Sequence, residues 1–335
     1  MENLERLILM KMIKSELLGK TILVTGGTGF IGGHLVEKLL ELGAKVIVVD
    51  IELKKNSIFS LNKLKDKVKL ELTDIRNEKK ILELFRRYRP EYIFHLAAYS
   101  TVTASLEKPR EAFETNVMGT INLLEAARLS SFVKGVIVAS SDKAYGKLIR
   151  GKYREEDALK GDHPYDVSKS CEDLISLAYY KTYGLPVVVT RFGNVYGEGD
   201  LHFDRIIPGI CMAVIKNKPL ELRSNGKYVR DYLYVKDVVR GYLFLLQNFA
   251  KIKGEAFNFS SSETLSVLEL VKKIEGILKV KIPYKILNTA KNEIPYQHLN
   301  DRKIRKLGWR TSYAFKEGIK ETFLWYQKHL KDEKR

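Results

Sequence analysis

Cysteine is nearly absent from this chain: Cys171 and Cys211 are the only two in 335 residues. Their spacing matches neither a metal clamp nor a redox pair, so a reducing cytoplasm is the compartment that fits. The six histidines are scattered, and none pairs at the short helical spacing a zinc site needs, so no metal is implied. Long apolar runs are missing too. No stretch approaches the roughly 20 residues that span a bilayer, which excludes a membrane partner from the expectations. Near the start, the run Leu7 to Met10 is too short for a secretory core, and Glu2, Glu5 and Glu16 do not suit a transit peptide. Residues 1–19 read as an amphipathic N-terminal extension.

Charge of one sign is in excess, with 58 Lys and Arg against 41 Asp and Glu, a formal +17. These cations are spread along the chain instead of forming a tract interleaved with aromatics. A solvated basic surface that suits an anionic substrate is therefore the favoured reading over nucleic-acid binding. The length exceeds one typical domain and allows a large core.

From Thr21 onward, short β-branched runs alternate with helical stretches, the pattern of parallel βαβ units. Strands are expected at Thr21–Thr25, Val46–Val49, Tyr92–Leu96, Gly135–Ala139 and Val187–Thr190, with a helix over Gly32–Leu42 closed by Gly43. The expectation is an α/β fold: a Rossmann-type doubly wound parallel sheet with a smaller C-terminal substrate-binding region. Residues 20–193 would form the cofactor-binding domain and 194–335 mainly the substrate domain, with some segments returning to the first.

Between the first strand and helix lies Thr25-Gly26-Gly27-Thr28-Gly29-Phe30-Ile31-Gly32. Gly26 permits a tight turn, Gly29 lets the backbone approach a pyrophosphate, and Gly32 allows close packing of the helix. The helix N-terminus then offers free N–H groups to the phosphates. Asp50, at the end of the second strand, can accept from ribose hydroxyls and repels a 2′-phosphate, which favours NAD unless a basic side chain such as Lys54 or Lys55 compensates. Asp74 and Ile75 are placed near the adenine edge. Leu96, Ala97 and Ala98 end a strand with small residues where backbone passes the cofactor.

Tyr165 and Lys169 stand at i and i+4, on one face of a helix, after the serine-rich strand end Ser140-Ser141. Tyrosine is a weak base at its ordinary pKa near 10, and a neighbouring ammonium lowers that by roughly 1–3 units. Tyr165 then removes a hydroxyl proton as hydride leaves the same carbon, with Ser141 on the oxygen. That is alcohol oxidation by NAD.

Gly26, Gly29, Gly32, Asp50, Ser141 and the Tyr165/Lys169 pair together resemble the extended short-chain dehydrogenase/reductase family. The likeness runs from about Leu18 to Tyr326 and includes Asn116-Val117-Met118-Gly119-Thr120 and Arg230-Asp231-Tyr232. It implies an NAD-dependent enzyme acting on a nucleotide-diphosphate sugar, Phe30 and Ile31 among the cofactor contacts, and a homodimer built through a four-helix bundle. Asn194, Arg205 and Arg230 are carried over as diphosphate or ribose contacts.

Within the family, Ser141-Asp142-Lys143 is similar to the CDP-glucose 4,6-dehydratase branch. That likeness implies C4 oxidation by Tyr165, removal of the C5 proton by Lys143 and protonation of the departing C6 hydroxyl by Asp142. A 4-epimerase or UDP-glucuronate decarboxylase remains the alternative, with Asp142 and Lys143 a mere structural salt bridge.

Overall fold

The computed structural model describes residues 14–148, 151–289 and 293–330. Most of the expected N-terminal extension, residues 1–13, lies outside the described residues. Seven parallel strands form the main sheet: β1 (Thr21–Thr25), β2 (Lys45–Asp50), β3 (Lys69–Leu72), β4 (Tyr92–His95), β5 (Gly135–Ser141), β6 (Val187–Phe192) and β10 (Ala256–Phe259). Their order is β10-β6-β5-β4-β1-β2-β3. The chain winds one way from β1 through β2 and β3, then returns to the other side of β1 for β4, β5 and β6. That reversal opens a crevice beyond the C-terminal ends of β1 and β4, where doubly wound sheets bind ligands.

Every strand but the edge ones is covered on both faces, so side chains alternate between two cores. Ile22 and Val24 of β1 join Leu35, Phe94 and Phe257 on one face. Leu23 joins Ile47, Ile93 and Val136 on the other. Helix α1 (Phe30–Glu41) buries Gly32, Gly33, Leu35, Val36 and Leu39, the i, i+3, i+4, i+7 spacing of one helical stripe.

The chain after β6 builds a second core around Tyr196, Ile210, Tyr232, Leu270 and Tyr326. It holds a sheet ordered β11-β9-β7, from Thr264–Ser266, Val229–Tyr234 and Asn194–Tyr196, and a two-stranded pair of β8 (Leu220–Leu222) and β12 (Tyr284–Ile286). β10 is the segment of this half that pairs with β6 in the main sheet. Helix α2 (Pro164–Tyr183) carries the Tyr–Lys pair across one face. Among the described residues no helix is long and apolar enough to cross a membrane, and no cluster of three or more His, Cys, Asp or Glu could hold a metal ion.

Candidate active site

The loop after β1 is shaped by absent side chains. Gly26 sits at φ +70°, and a Cβ there would lie 2.8 Å from the Ala97 nitrogen. A Cβ on Gly32 would lie 2.0 Å from the Gly26 carbonyl oxygen, so the start of α1 rests directly on the loop. The close packing expected of Gly32 is thus against the loop itself rather than the strand. Gly29 caps α1 with no side-chain bond, and no acidic residue occupies the first turn. These N–H groups therefore remain available to an anion. Gly32→Ala should lower NAD affinity by about tenfold or more and destabilise the fold by about 1–3 kcal/mol, since the Gly26–Gly27 backbone must move away from the new methyl. Calorimetric titration with NAD and thermal melting read the two effects.

Asp50 closes the loop from β2. Its Oδ2 accepts from Thr28 N at 3.0 Å and Thr28 Oγ1 at 2.7 Å, and its Oδ1 accepts from Ile51 N at 2.9 Å. Thr28 is thus a site residue that the sequence reading left out, although it stood inside the loop. Asp74 is held by Arg76, whose Nη2 and Nε donate at 2.6 and 2.9 Å, and this pairing lowers the carboxyl pKa. The Ile75 side chain packs into the core against Gly119, and its carbonyl accepts from Asn122. Any cofactor contact from Ile75 therefore falls to its main chain.

Behind the strand ends runs a directed chain of buried hydrogen bonds. Leu96 N and Ala97 N donate to Thr25 Oγ1, which pairs with His95 Nδ1 at 2.7 Å. His95 Nε2 pairs with Thr120 Oγ1 at 3.0 Å, and Thr120 donates to the Asn116 carbonyl at 2.6 Å. Because the Thr120 proton is committed to Asn116, His95 must carry its proton on Nε2 and accept from Thr25 on Nδ1. Burial, with the nearby Lys169 charge, depresses its pKa to about 3, so the ring stays neutral. This relay fixes the Leu96–Ala97 backbone where Gly26 approaches it.

A cleft of about 970 Å³ lies between the two halves. It is lined by Ser141, Asp142, Lys143, Tyr165, Lys169, Asn194, Arg205 and Arg230, and from the cofactor side by Ile31, Leu96 and Ala98. The structure thus brings together all the residues expected to be catalytic and the three carried over as substrate contacts. Gly26, Asp50, Asp74 and Ile75 stand apart, around β1 to β3. Phe30 packs edge-on against His34.

Ser141 Oγ donates to Asp142 Oδ1 at 3.1 Å and accepts from Lys143 N at 3.2 Å. Burial pushes the Asp142 carboxyl up to about 6 against the pull of Lys143 and Arg230. Burial, helped by Arg230, lowers the Lys143 pKa. Among the described residues the Lys143 ammonium makes one long hydrogen bond, 3.5 Å to Gln297 Oε1. Asp142 and Lys143 attract one another through space but form no direct ion pair.

The Tyr–Lys pair carries a correction. Lys169 Nζ donates to the Ala139 carbonyl at 2.8 Å and to Glu172 Oε2 at 2.6 Å. Burial opposes its charge, but Glu172 outweighs that and raises its pKa. Lys169 and Arg205 pull the Tyr165 pKa down, but burial outweighs both and leaves it above its ordinary value. Glu172 was legible only as an acid three residues along the helix from Lys169, a spacing too common to single out. Arg205 pairs with Asp200 at 3.1 Å, and Arg230 approaches Glu293 at 3.6 Å.

Residues 23–322 match the family model described as GDP-mannose 4,6 dehydratase. The chain belongs to the extended short-chain dehydrogenase/reductase family. Its members here are NAD-dependent nucleotide-sugar dehydratases and epimerases. CDP-paratose 2-epimerase of Salmonella typhi is 31% identical, over 91% of this chain and 98% of the relative. dTDP-glucose 4,6-dehydratase of Escherichia coli is 33% identical, over 91% of this chain and 93% of that one. Among solved structures, UDP-glucose 4-epimerase of Thermotoga maritima with UDP-glucose superposes with TM-score 0.84 at 30% identity, covering 92% of this chain and 99% of that chain. A dTDP-glucose 4,6-dehydratase of Streptomyces venezuelae with NAD bound gives 0.83 at 30% identity, covering 92% and 97%. For a short-chain dehydrogenase of this kind, the bare loop Gly26–Gly29, the unacidic start of α1 and the Asp50 carboxylate fit the pyrophosphate and ribose of NAD.

Proposed function

We propose that this enzyme is a nucleotide-sugar 4,6-dehydratase whose substrate is CDP-glucose, converted to CDP-4-keto-6-deoxyglucose. The observation that carries the reading is the pair behind Ser141. Two adjacent ionisable groups on the cleft wall are shifted in opposite senses, the carboxyl toward its neutral acid and the amine toward its neutral base. Groups pushed apart in this way are suited to be the acid and the base of one reaction. A 4-epimerase needs neither. The CDP-paratose relative supports a cytidine diphosphate, since its name specifies that nucleotide.

In this reading Tyr165 takes the proton of the C4 hydroxyl and Ser141 hydrogen-bonds the same oxygen. Lys169 orients the nicotinamide ribose. Bound NAD would supply the hydride acceptor for C4 and the hydride donor for C6. Lys143 removes the C5 proton made acidic by the C4 ketone, and Asp142 protonates the leaving C6 hydroxyl. Asn194, Arg205 and Arg230 hold the diphosphate and ribose, the arginines through their planar forks. Gly26, Gly29, Phe30, Ile31, Gly32, Asp50, Asp74, Ile75, Leu96, Ala97 and Ala98 form the cofactor side. Residues 20–193 carry the cofactor and 194–335 close over the sugar, with β10 returned to the first unit. The cytoplasm remains the compartment that fits.

A second copy of the chain covers the helices that flank the cleft. Leu106, Phe113 and Met118, between residues 102 and 118, and Leu174 of α2 leave large apolar side chains exposed on elements that pack together. Pairing these faces across a two-fold axis makes a four-helix bundle. Sedimentation should give a dimer, and Leu174→Glu should shift it toward monomer; a wild-type monomer at micromolar concentration would remove this assignment.

Relative kcat/KM across CDP-, UDP-, GDP- and dTDP-glucose tests the nucleobase. CDP-glucose should rank first; a preference for another base would reassign the substrate and leave the dehydratase chemistry standing. The epimerase reading draws on the Thermotoga likeness, and it predicts turnover without loss of water.

A further inference from the structure

Glu172 stands three residues beyond Lys169 on α2, and both side chains are closed off from solvent, Glu172 at 1% exposure and Lys169 at 4%. Their contact is direct. Lys169 Nζ donates to Glu172 Oε2 at 2.6 Å, and on its other flank to the Ala139 carbonyl of β5 at 2.8 Å. An ammonium carries three hydrogens, so these two bonds leave one for the cleft that Lys169 lines. The Glu172 backbone is tied down as well, since its carbonyl accepts from Ser176 Oγ at 2.7 Å.

A buried ammonium is costly unless an opposite charge meets it. The surrounding groups leave that task to Glu172. Asp173 is engaged by Arg191, whose Nε and Nη2 donate to its two carboxylate oxygens at 2.7 and 2.9 Å. His95 on β4 stays neutral, with burial and the Lys169 charge holding its pKa down to about 3. Tyr165 on the same helix, and Tyr242 on the helix Val235–Ile252, are held above the ordinary phenol pKa by burial. We propose that Glu172 is a positioning residue of the oxidation step, the buried counter-ion that holds the Lys169 ammonium, still charged, between the Ala139 carbonyl and the cleft. The role rests on the part given above to Lys169 beside the nicotinamide ribose, which the dehydratase and epimerase readings share.

Burial decides the sign of the effect. In the wild type burial opposes the Lys169 charge, but Glu172, with Tyr165 and Asp173, outweighs it and raises the pKa. Burial likewise pushes the Glu172 carboxyl up, against the pull of Lys169. Glu172→Gln keeps an oxygen for the same Lys169 hydrogen and removes only the charge. Burial then prevails, and the folded Lys169 loses its proton below the ordinary lysine value near 10.4. Between those two points the unfolded chain binds one proton more than the folded chain. The variant should therefore be less stable than the wild type near pH 8 and recover toward pH 10. Its folding equilibrium should gain on the wild type by up to about tenfold per pH unit.

The test is thermal melting of the full-length protein between about pH 8 and 10, without NAD or sugar. Wild type is compared with Glu172→Gln and with the double variant Glu172→Gln/Lys169→Met. The gap between the single variant and the wild type should narrow as pH rises. The double variant has no lysine proton to lose there, so its gap should stay level. A single variant that fails to fold while the double variant folds would support the same conclusion, because the unpaired ammonium is what differs. A gap for the single variant that pH does not move, or failure of both variants to fold, would overturn the proposal and make Glu172 structural. The function is read by single-turnover appearance of NADH with the sugar substrate. That rate should rise with pH in the wild type and bend downward above about pH 8 in Glu172→Gln, whereas parallel profiles would overturn the positioning role. Melting involves no substrate, so absence of water loss by the wild type would remove the dehydratase reading and leave this result standing.

Discussion

Tyr165→Phe should reduce turnover between about a hundred- and ten-thousand-fold while NAD still binds and the melting temperature barely changes. In the proposed mechanism one oxygen carries the first proton transfer. The Tyr165 hydroxyl lines the cleft and makes no hydrogen bond to a described side chain, so removing it leaves no broken network behind. Lys169 remains anchored to the Ala139 carbonyl and Glu172, so its place beside the cofactor ribose is preserved. Burial sets Tyr165 above its ordinary pKa, which makes the free protein a reluctant base. Oxidation at C4 should therefore quicken as pH rises through the neutral range, and that slope should vanish in the variant. Single-turnover measurements across pH read both points. A variant that kept wild-type turnover would take Tyr165 out of the chemistry.

Lys143→Ala should separate the reaction into its halves. Oxidation at C4, assigned by the proposal to Tyr165 and Ser141, should proceed. Elimination should slow by about a hundred- to ten-thousand-fold, because the C5 proton has lost its base. The trapped species is a 4-keto sugar that keeps its C6 hydroxyl, detectable by rapid quenching and mass spectrometry as a substrate lacking two hydrogens. Unimpaired water loss by this variant would remove Lys143 from its role. Asp142 adds a pH signature. Its carboxyl, held up to about 6 by burial, gives up its proton above that value in the free enzyme. kcat/KM for dehydration should thus decline on the alkaline side, and Asp142→Asn should lose that limb along with most of its rate.

The parts of this molecule legible in the sequence are those set by neighbours along the chain. The run Thr21–Thr25 followed by glycines and an amphipathic stripe can only be a strand, a phosphate loop and a helix. Tyr165 and Lys169 declare themselves by a four-residue step on a helix. β10 was not foreseen: Ala256-Phe257-Asn258-Phe259 is short, follows a long helix in the other half of the chain, and becomes a strand because it pairs with β6. What burial and distant partners decide was also hidden. Burial of the Tyr165 hydroxyl outweighs the pull of Lys169 and Arg205, so the expected lowering of the Tyr165 pKa is reversed. Thr28 clamps Asp50 only because the loop folds back on β2. Gln297 reaches Lys143 from 154 residues away, and no local pattern could have announced it. In each case, the residue type was visible while its charge state depended on a contact formed by the fold.

The central claim is that Asp142 and Lys143 turn an alcohol oxidation into the loss of water. The most direct test is the mass of the product formed by the wild-type enzyme from CDP-glucose with NAD. A product lighter by one water, bearing a C4 ketone and a C6 methyl group, is the predicted result. A product of unchanged mass with inverted C4 would contradict the account and make the enzyme an epimerase.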